Sequence, residues 1–250
     1  MRSTRIYVDS GLRPGQELLL PPESSTHLLR VLRLRPGSAL TLFNGRGGEH
    51  EARLAGPAAG SRARLQIGEH RAIERESPLQ LTLLQGIARG ERMDLIVQKA
   101  TELGVQRIVP VRCEFSVVRL DAAKLPLRLG HWRAVAIAAC EQCGRNRLPQ
   151  LDPPLDLAAA CAAMSAAEGE PAGIRLMLHP GAGESLAALA AGARSVALLV
   201  GPEGGLSEAE QRLALQSGFR ACGLGPRVLR TETAPLAALA ALQALAGDFA

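Results

Sequence analysis

The chain has 250 residues, of which 47% are apolar, 21% charged and 2% aromatic, and its net charge is +5. This composition excludes a disordered chain and predicts one large core or two modest ones, built from Leu, Ala and Val. No apolar run reaches the roughly 20 residues that a membrane helix needs, and the opening MRSTRIYVDS has no apolar signal segment, so we expect neither a membrane span nor a secretory signal.

Residues 4–72 have the pattern of a small β-rich domain. Short strand-like runs alternate with turn signals, and the runs are TRIYV, SALTLF, EARLA and RARLQI. One helix, THLLRVLRL, interrupts them, and Ser24 or Ser25 stands where its N-cap is expected. The sequence therefore predicts a β-barrel with one helix over residues 1–73, followed by a boundary near RESP (75–78).

The net positive charge lies in this first domain. Residues 1–72 hold 11 arginines against 6 acidic residues, whereas the remainder of the chain is balanced. An arginine-rich segment suits contacts with nucleic-acid phosphates, and the candidates on and just beyond the helix are Arg30, Arg33 and Arg35. The alternative is an ordinary solvated surface in a chain that uses arginine in place of lysine.

Residues 79–250 alternate between strand and helix patterns. The strand-like runs are LQLTLLQGIA, RIVPVRC, GIRLMLHP, SVALLV and FRACGLG. Helical patterns separate them, and the helix after residue 206 begins with Ser207 and Glu210 at the spacing of a capping box. This alternation predicts a second domain with a mostly parallel α/β sheet.

Three of these strands end in loops rich in glycine and proline. The loops are LHPGAG (178–183), GPEGG (201–205) and LGPRVLRTETAP (224–235). Because ligands of such sheets bind at the carboxyl ends of strands, the loops predict one shared site. Neither a P-loop nor a complete dinucleotide fingerprint is present, which favours a nucleotide-like ligand read by main-chain groups. The alternative is tight packing of helix on sheet.

The five cysteines are odd in number and scattered through apolar segments, which predicts a reduced, cytoplasmic protein. Cys140 and Cys143 form a single CxxC inside a helical pattern, and the histidines show no ligand spacing. Small packing residues are therefore the favoured interpretation of CEQC, with metal or redox chemistry as the alternative.

GPEGGLSEAE together with LGPRVLRTETA resembles the signature of the SPOUT-class RNA methyltransferases, specifically the RsmE family. The resemblance extends over the whole chain through HLLRVLRLRPG (27–37), QKATELGV (98–105) and EQCGRNRLP (141–149). The chain differs from the family pattern at Cys140 and Cys143, where the family has other small residues, which supports the packing interpretation.

The resemblance implies a PUA-like RNA-binding β-barrel over residues 1–73 and a SPOUT-type, trefoil-knotted α/β domain over 79–250 that forms a homodimer. It also implies methylation of N3 of one uridine in the 16S ribosomal RNA of the small subunit, with S-adenosylmethionine as cofactor. The cofactor-binding residues that it implies are Leu178, His179, Pro180, Leu199, Gly201, Pro202, Glu203, Gly204, Gly205, Leu224, Gly225, Val228, Leu229, Arg230, Thr231, Thr233 and Ala234.

The implied reaction gives roles to charged residues. Uridine N3 must lose a proton, and the negative charge that develops on the uracil oxygens suits a guanidinium, for which Arg230 and Arg145 are the candidates. Glu232 is the first candidate for the base and Glu141 the second, unless the proton leaves to water. This chemistry needs no metal, and the sequence suggests none.

Each carboxylate also has a structural interpretation. Glu232 could cap the last helix, with Thr231 and Thr233 as alternative caps, and Glu203 could bind the cofactor or a neighbouring backbone group.

Three other functions compete with this interpretation. A SPOUT enzyme acting on a ribose 2′-hydroxyl would keep the GPEGG-like loop but not all the other blocks. An RNA-binding assembly factor without catalysis would not need intact cofactor loops. A nucleotide-dependent oxidoreductase is disfavoured by the missing dinucleotide fingerprint.

Overall fold

The computed structural model describes residues 4–58, 62–118, 121–165 and 173–249. Residues 1–3 and 250, which the predicted domain ranges include, lie outside the described residues. Contacts divide the chain into two compact units. The first is Met1–Glu76 with Cys140–Leu148, and the second is Ser77–Ala139 with Pro149–Ala250. The assignment of Cys140–Leu148 to the first unit has no counterpart in the sequence pattern.

The first unit is built on a five-stranded sheet. Its strands are β1 (Thr4–Tyr7), β2 (Glu17–Leu19), β3 (Ala39–Phe43), β4 (Glu49–Pro57) and β5 (Ala63–Arg71), in the order β1-β3-β4-β5-β2. β1 pairs with β3 in parallel, and the other pairs are antiparallel. Inward side chains alternate with solvated ones along β4 and β5, and together they form a core of Leu, Ile and Ala.

The helix of this unit begins earlier than its sequence predicts. Helix α1 (Pro22–Thr26) starts with proline at its first turn and has no side-chain cap, so neither Ser24 nor Ser25 is the N-cap. Ser25 is buried instead: its hydroxyl donates to Leu20 O and accepts from Ala63 N. The prediction was wrong because this tertiary contact, rather than the helix end, satisfies the hydroxyl.

The second unit contains a sheet in which all pairs are parallel, as the sequence predicted. Its strands are β6 (Gln80–Gly86), β7 (Arg107–Arg112), β8 (Gln150–Leu151), β9 (Leu155–Asp156), β10 (Ile174–Leu178), β11 (Ser195–Val200) and β12 (Arg220–Cys222). Their order is β12-β10-β11-β6-β7-β8, and β9 also pairs with β7. β6 and β11 therefore lie at the centre of the sheet.

Helices cover both faces of this sheet. They are α2 (Glu91–Glu102), α3 (Leu125–Cys143), α4 (Leu157–Ser165), α5 (Leu186–Ala190), α6 (Glu208–Gln216) and α7 (Thr233–Ala246). The side chains of α2, α5 and α7 share one apolar core with Leu198, and those of α4 and α6 share another with Leu199. Ser207 and Glu210 form the predicted capping box of α6.

The fold class is confirmed as an α/β domain preceded by a β-rich unit. Within the described residues, no helix combines the length and apolarity that crossing a membrane requires. The trefoil knot that the family resemblance implies stays a prediction.

Candidate active site

Three loops meet at the carboxyl edge of the parallel sheet in the second unit. They follow β10, β11 and β12, and they line a cavity of about 640 Å³, a volume typical of small-molecule sites. The lining residues that the sequence singled out are Leu178, His179, Pro180, Gly201, Pro202, Glu203, Gly204, Gly205, Leu224, Gly225, Val228, Leu229, Arg230, Thr231, Glu232 and Ala234. The loops converge because parallel strands bring their carboxyl ends to one edge.

The glycines of this site let backbone segments approach one another closely. A Cβ on Gly201 would lie 3.0 Å from the carbonyl carbon of Gly205. The neighbouring β6 ends at Gly86, where a Cβ would come 2.5 Å from the nitrogen of Pro202. Gly205 has a φ of +74°, which side chains disfavour. Gly86 and Gly201 are therefore favoured by close contacts with main chain, and Gly205 by its backbone conformation.

Glu203 is held by the start of α2. Its Oε1 accepts hydrogen bonds from the backbone N–H of Arg89 and from the side chain of Arg92, both at 2.9 Å. Burial raises the pKa of Glu203, but the hydrogen bonds from Arg89 N–H, from its own N–H and from Arg92 outweigh burial and lower the pKa overall. Glu203 is thus ionised at neutral pH. Arg92 lines the cavity and was missed by sequence reasoning.

Glu232 lies opposite the same guanidinium. It occupies the N-cap position of α7, but its side chain makes no capping hydrogen bond. Its Oε2 lies 3.7 Å from Nε of Arg92, and this oxygen is buried without a hydrogen-bond partner among the described residues. The capping interpretation of Glu232 is therefore wrong, and the carboxylate lines the cavity.

Thr231 connects the third loop to the second. Its hydroxyl donates to Gly201 O at 2.9 Å and lies 3.4 Å from Nε2 of Gln85. Gln85 is fully buried at the end of β6, and its Nε2 also donates to Gly86 O. Thr231 therefore binds the neighbouring loop, which leaves no role for it as a helix cap. Gln85 was missed because its polar role depends on this tertiary contact.

Arg230 lines the cavity and is exposed, whereas two predicted cofactor residues lie elsewhere. Leu199 is fully buried in the core against α4 and α6. Side chains alternate along a strand, so its neighbour Val200 lines the cavity instead. Thr233 is exposed at the start of α7 and is absent from the described lining.

Comparison with known proteins agrees with this architecture. The profile of an RNA methyltransferase domain matches residues 75–243, and that of an RNA methyltransferase PUA domain matches residues 20–68. Ribosomal RNA small subunit methyltransferase E of Bacillus subtilis is 33% identical over 88% of this chain and 87% of its own length. The protein of the same name from Buchnera aphidicola subsp. Schizaphis graminum is 32% identical over 99% of this chain and 98% of its own length.

This chain belongs to the ribosomal RNA small subunit methyltransferase E family. The Neisseria gonorrhoeae member, whose crystal structure was solved bound to S-adenosyl methionine, is 39% identical in sequence. The structural match covers 100% of both chains with a TM-score of 0.88.

The two remaining catalytic candidates of this family member lie in its first unit. Arg145 is only 3% exposed, and it donates to Oε1 and Oε2 of Glu76 at 3.0 and 2.5 Å. Glu141 accepts a hydrogen bond from the backbone N–H of Tyr7, and burial raises its pKa although this bond opposes the rise. Neither residue is among the described residues that line the cavity.

The neighbours of Arg145 serve as anchors within the same unit. The amide oxygen of Asn146 accepts from Arg5 at 2.5 Å, and its amide nitrogen donates to Glu49 at 3.1 Å. Arg147 pairs with Glu74 at 2.5 Å. The charged motif therefore ties Cys140–Leu148 to the first unit, a role that sequence alone does not separate from catalysis.

The three RNA-contact candidates are all exposed. Arg30 lies in a π-helical turn, His27–Val31, that continues α1, and Arg33 and Arg35 follow it. Arg33 has a φ of +52°, a conformation that is uncommon outside glycine. None of the three forms an ion pair with another described residue, which leaves their guanidinium groups in solvent.

Cys140, the first cysteine of CEQC, has the surroundings of a packing residue. Cys140 is buried, and burial raises the pKa of its thiol to about 12, so that it is neither nucleophilic nor ready to bind metal. All five cysteines are free thiols. Across the described residues, no group of three or more His, Cys, Asp or Glu side chains is placed to hold a metal ion.

Proposed function

We propose that this chain transfers a methyl group from S-adenosylmethionine to N3 of one uridine in the 16S ribosomal RNA of the small subunit. The observation that carries the proposal is the cavity at the carboxyl edge of the sheet, which three loops line and where Arg230 and Glu232 of the third loop lie. Membership of the family gives the reaction class, and the relatives' shared name gives the ribosomal substrate.

The cavity suits S-adenosylmethionine in size and chemistry. Glycine and leucine are the commonest residues of its lining, and the loop main chain there can present polar groups to an adenine edge. Glu203 and Glu232 each present a buried carboxylate oxygen that lacks a hydrogen bond among the described residues. The residues that would hold the cofactor are those of the three loops. When bound, the cofactor supplies an electrophilic methyl group on a sulfonium.

The charged residues at the cavity have separate roles in the proposal. Arg230 is exposed at the rim, where its guanidinium meets the negative charge that develops on the uracil oxygens. Glu232 accepts the N3 proton, since its carboxylate lines the cavity and caps no helix. Arg145 and Glu141 are second candidates for these roles, and their contacts within the first unit favour a structural role.

The first unit supplies RNA affinity through Arg30, Arg33 and Arg35. Their exposed guanidinium groups suit phosphate oxygens, and with 2% aromatic residues the chain has few rings for base stacking. We further propose that the protein is a homodimer. We also propose that it acts in the cytoplasm, a reducing compartment that suits its free cysteines. Sedimentation velocity at several protein concentrations tests the dimer.

The proposal is tested with small ribosomal subunits that lack the modification. The subunits are incubated with the protein and methyl-labelled S-adenosylmethionine, and the RNA is digested to nucleosides and separated. We expect label in 3-methyluridine, and a strongly reduced rate for Arg230→Ala and Glu232→Gln but not for Glu184→Gln, an exposed carboxylate outside the cavity lining.

Other outcomes of this experiment contradict the proposal at different levels. Label in a 2′-O-methyl nucleoside would show that the methylated atom is a ribose hydroxyl oxygen and not uridine N3. No label together with no binding of the cofactor would exclude the enzyme and favour an RNA-binding assembly factor.

A further inference from the structure

Two carboxylates and one guanidinium share the inner wall of the cavity. The side chains of Glu203 and Glu232 are 20% and 18% exposed, and both face Arg92. Arg92 makes its hydrogen bond to Oε1 of Glu203, while Oε2 of each carboxylate is buried without a hydrogen-bond partner among the described residues. One guanidinium therefore faces two carboxylates, each of which has one buried oxygen.

The other positive groups at the cavity do not balance this excess. Arg227 and Arg230 also line it, but both are exposed, so water and salt screen their charges. The side chains of the two carboxylates are largely removed from solvent. Away from solvent, a charge acts more strongly on its neighbours. The inner wall thus has an uncompensated negative charge that a positively charged ligand would neutralise.

We propose that Glu203 and Glu232 form a charge-selective pair that favours the sulfonium of S-adenosylmethionine over the neutral thioether left after transfer. The inference rests on the proposed function and adds a specificity role to it. Transfer of the methyl group removes the positive charge from sulfur, so the attraction to the pair is lost in the product.

Calorimetric titration with three ligands that differ at the methyl position tests the pair. S-adenosylmethionine has a sulfonium there, sinefungin has an ammonium, and S-adenosylhomocysteine is neutral. We expect the wild-type protein to prefer both cations, and Glu232→Gln and Glu203→Gln each to reduce the preference for sinefungin over S-adenosylhomocysteine by about tenfold.

The neutral ligand and a matched variant act as controls. Retained affinity for S-adenosylhomocysteine demonstrates that the variant pockets are intact. Glu184→Gln removes the same charge from an exposed side chain, which is 55% accessible and paired with Arg220, so its ligand preference should equal that of the wild type.

Each other result overturns the inference. If the variants lose affinity equally for all three ligands, the carboxylates bind a group that the ligands share, such as the ribose. If wild-type protein binds all three equally, the charge-selective pair does not exist, although the proposed function stands. If wild-type protein binds none of them, the proposed function itself fails.

Discussion

The pKa values of two carboxyl groups of the first unit, Glu49 and Glu141, shift in opposite directions. Burial raises the pKa of both, but Glu49 accepts hydrogen bonds from Arg5, Asn146 and Arg75, which together lower its pKa overall. Among the described residues, only the backbone N–H of Tyr7 donates to Glu141, so burial dominates and the pKa of Glu141 is raised. The number of charged donors around each carboxylate decides whether its pKa is raised or lowered.

Glu141→Gln is expected to stabilise the protein at neutral pH. The amide oxygen can still accept from Tyr7 N–H, while the cost of burying an ionised carboxylate disappears. Because the folded pKa of Glu141 lies above the model-compound value of 4.5, this cost is absent well below pH 4.5, grows as the pH rises above that value and is complete above the folded pKa. Thermal unfolding should show a higher midpoint for the variant at pH 7 and equal midpoints below about pH 4.

The same variant tests whether Glu141 takes part in catalysis. If the role of Glu141 is structural, Glu141→Gln should transfer methyl groups at a rate close to that of the wild type, whereas Glu232→Gln should be slow. A large loss of rate in a stably folded Glu141→Gln would instead identify Glu141 as the base.

Glu49→Gln should have the opposite effect on stability. The folded pKa of Glu49 is lowered below 4.5, so its contribution is fully present above that pH and is lost as the pH falls through the folded pKa. Removing this charge leaves Arg5 and Arg75 without their carboxylate, which costs about 3 kcal/mol for a buried pair. In urea unfolding, the difference in the free energy of unfolding between wild type and variant should shrink as the pH is lowered. A difference that stays constant with pH would exclude linkage to Glu49.

Among the elements, the ends of the central strands β6 and β11 carry the tightest backbone contacts of the site. Gly86→Ala would place its Cβ 2.5 Å from the nitrogen of Pro202 and 2.8 Å from the carbonyl carbon of Gly201, so the GPEGG loop must move. We expect a loss of about 1–3 kcal/mol in the free energy of unfolding. Affinity for S-adenosylmethionine should fall as well.

A second glycine provides the control for this substitution. Gly130 lies in α3, and a Cβ there would meet nothing within 4 Å. Gly130→Ala should therefore stabilise the protein by up to about 1 kcal/mol through helix propensity, with cofactor affinity unchanged. Equal effects of the two substitutions on cofactor affinity would contradict the close-approach explanation.

Elements governed by local rules were predictable, and those governed by tertiary contacts were not. The capping box of Ser207 and Glu210 lies within one turn, and the alternation of strands and helices gave the parallel sheet. Ser25 and Arg92 were misjudged or missed because their partners are distant in sequence. Arg145 pairs with Glu76, 69 residues away, and its charge alone gave no sign that it would be buried.

The three loops of the site were predictable for a reason that applies to the whole sheet. Parallel strands end at the same edge of the sheet, and the three loops converge there because β12, β10 and β11 are neighbours. The charge pairing inside the site was not predictable, because the distance between Arg92 and the two glutamates depends on the position of α2.

At the scale of the whole molecule, the net charge resides on one unit, which should make RNA binding depend steeply on salt. Each arginine that contacts a phosphate releases counterions, so Arg30→Ala should reduce the slope of log affinity against log salt by about 0.7–0.9. Binding to unmodified small subunits is measured over a series of KCl concentrations at constant Mg²⁺.

Arg71→Ala is the matched control because Arg71 is on the same unit but is already paired with Glu51. It should leave the salt slope nearly unchanged, whereas Arg33→Ala and Arg35→Ala should behave like Arg30→Ala. Equal slopes for Arg30→Ala and wild type would place the phosphate contacts elsewhere. If Arg71→Ala lowered the slope as much as Arg30→Ala, the RNA would respond to the unit's net charge rather than to the arginines around the π-helical turn.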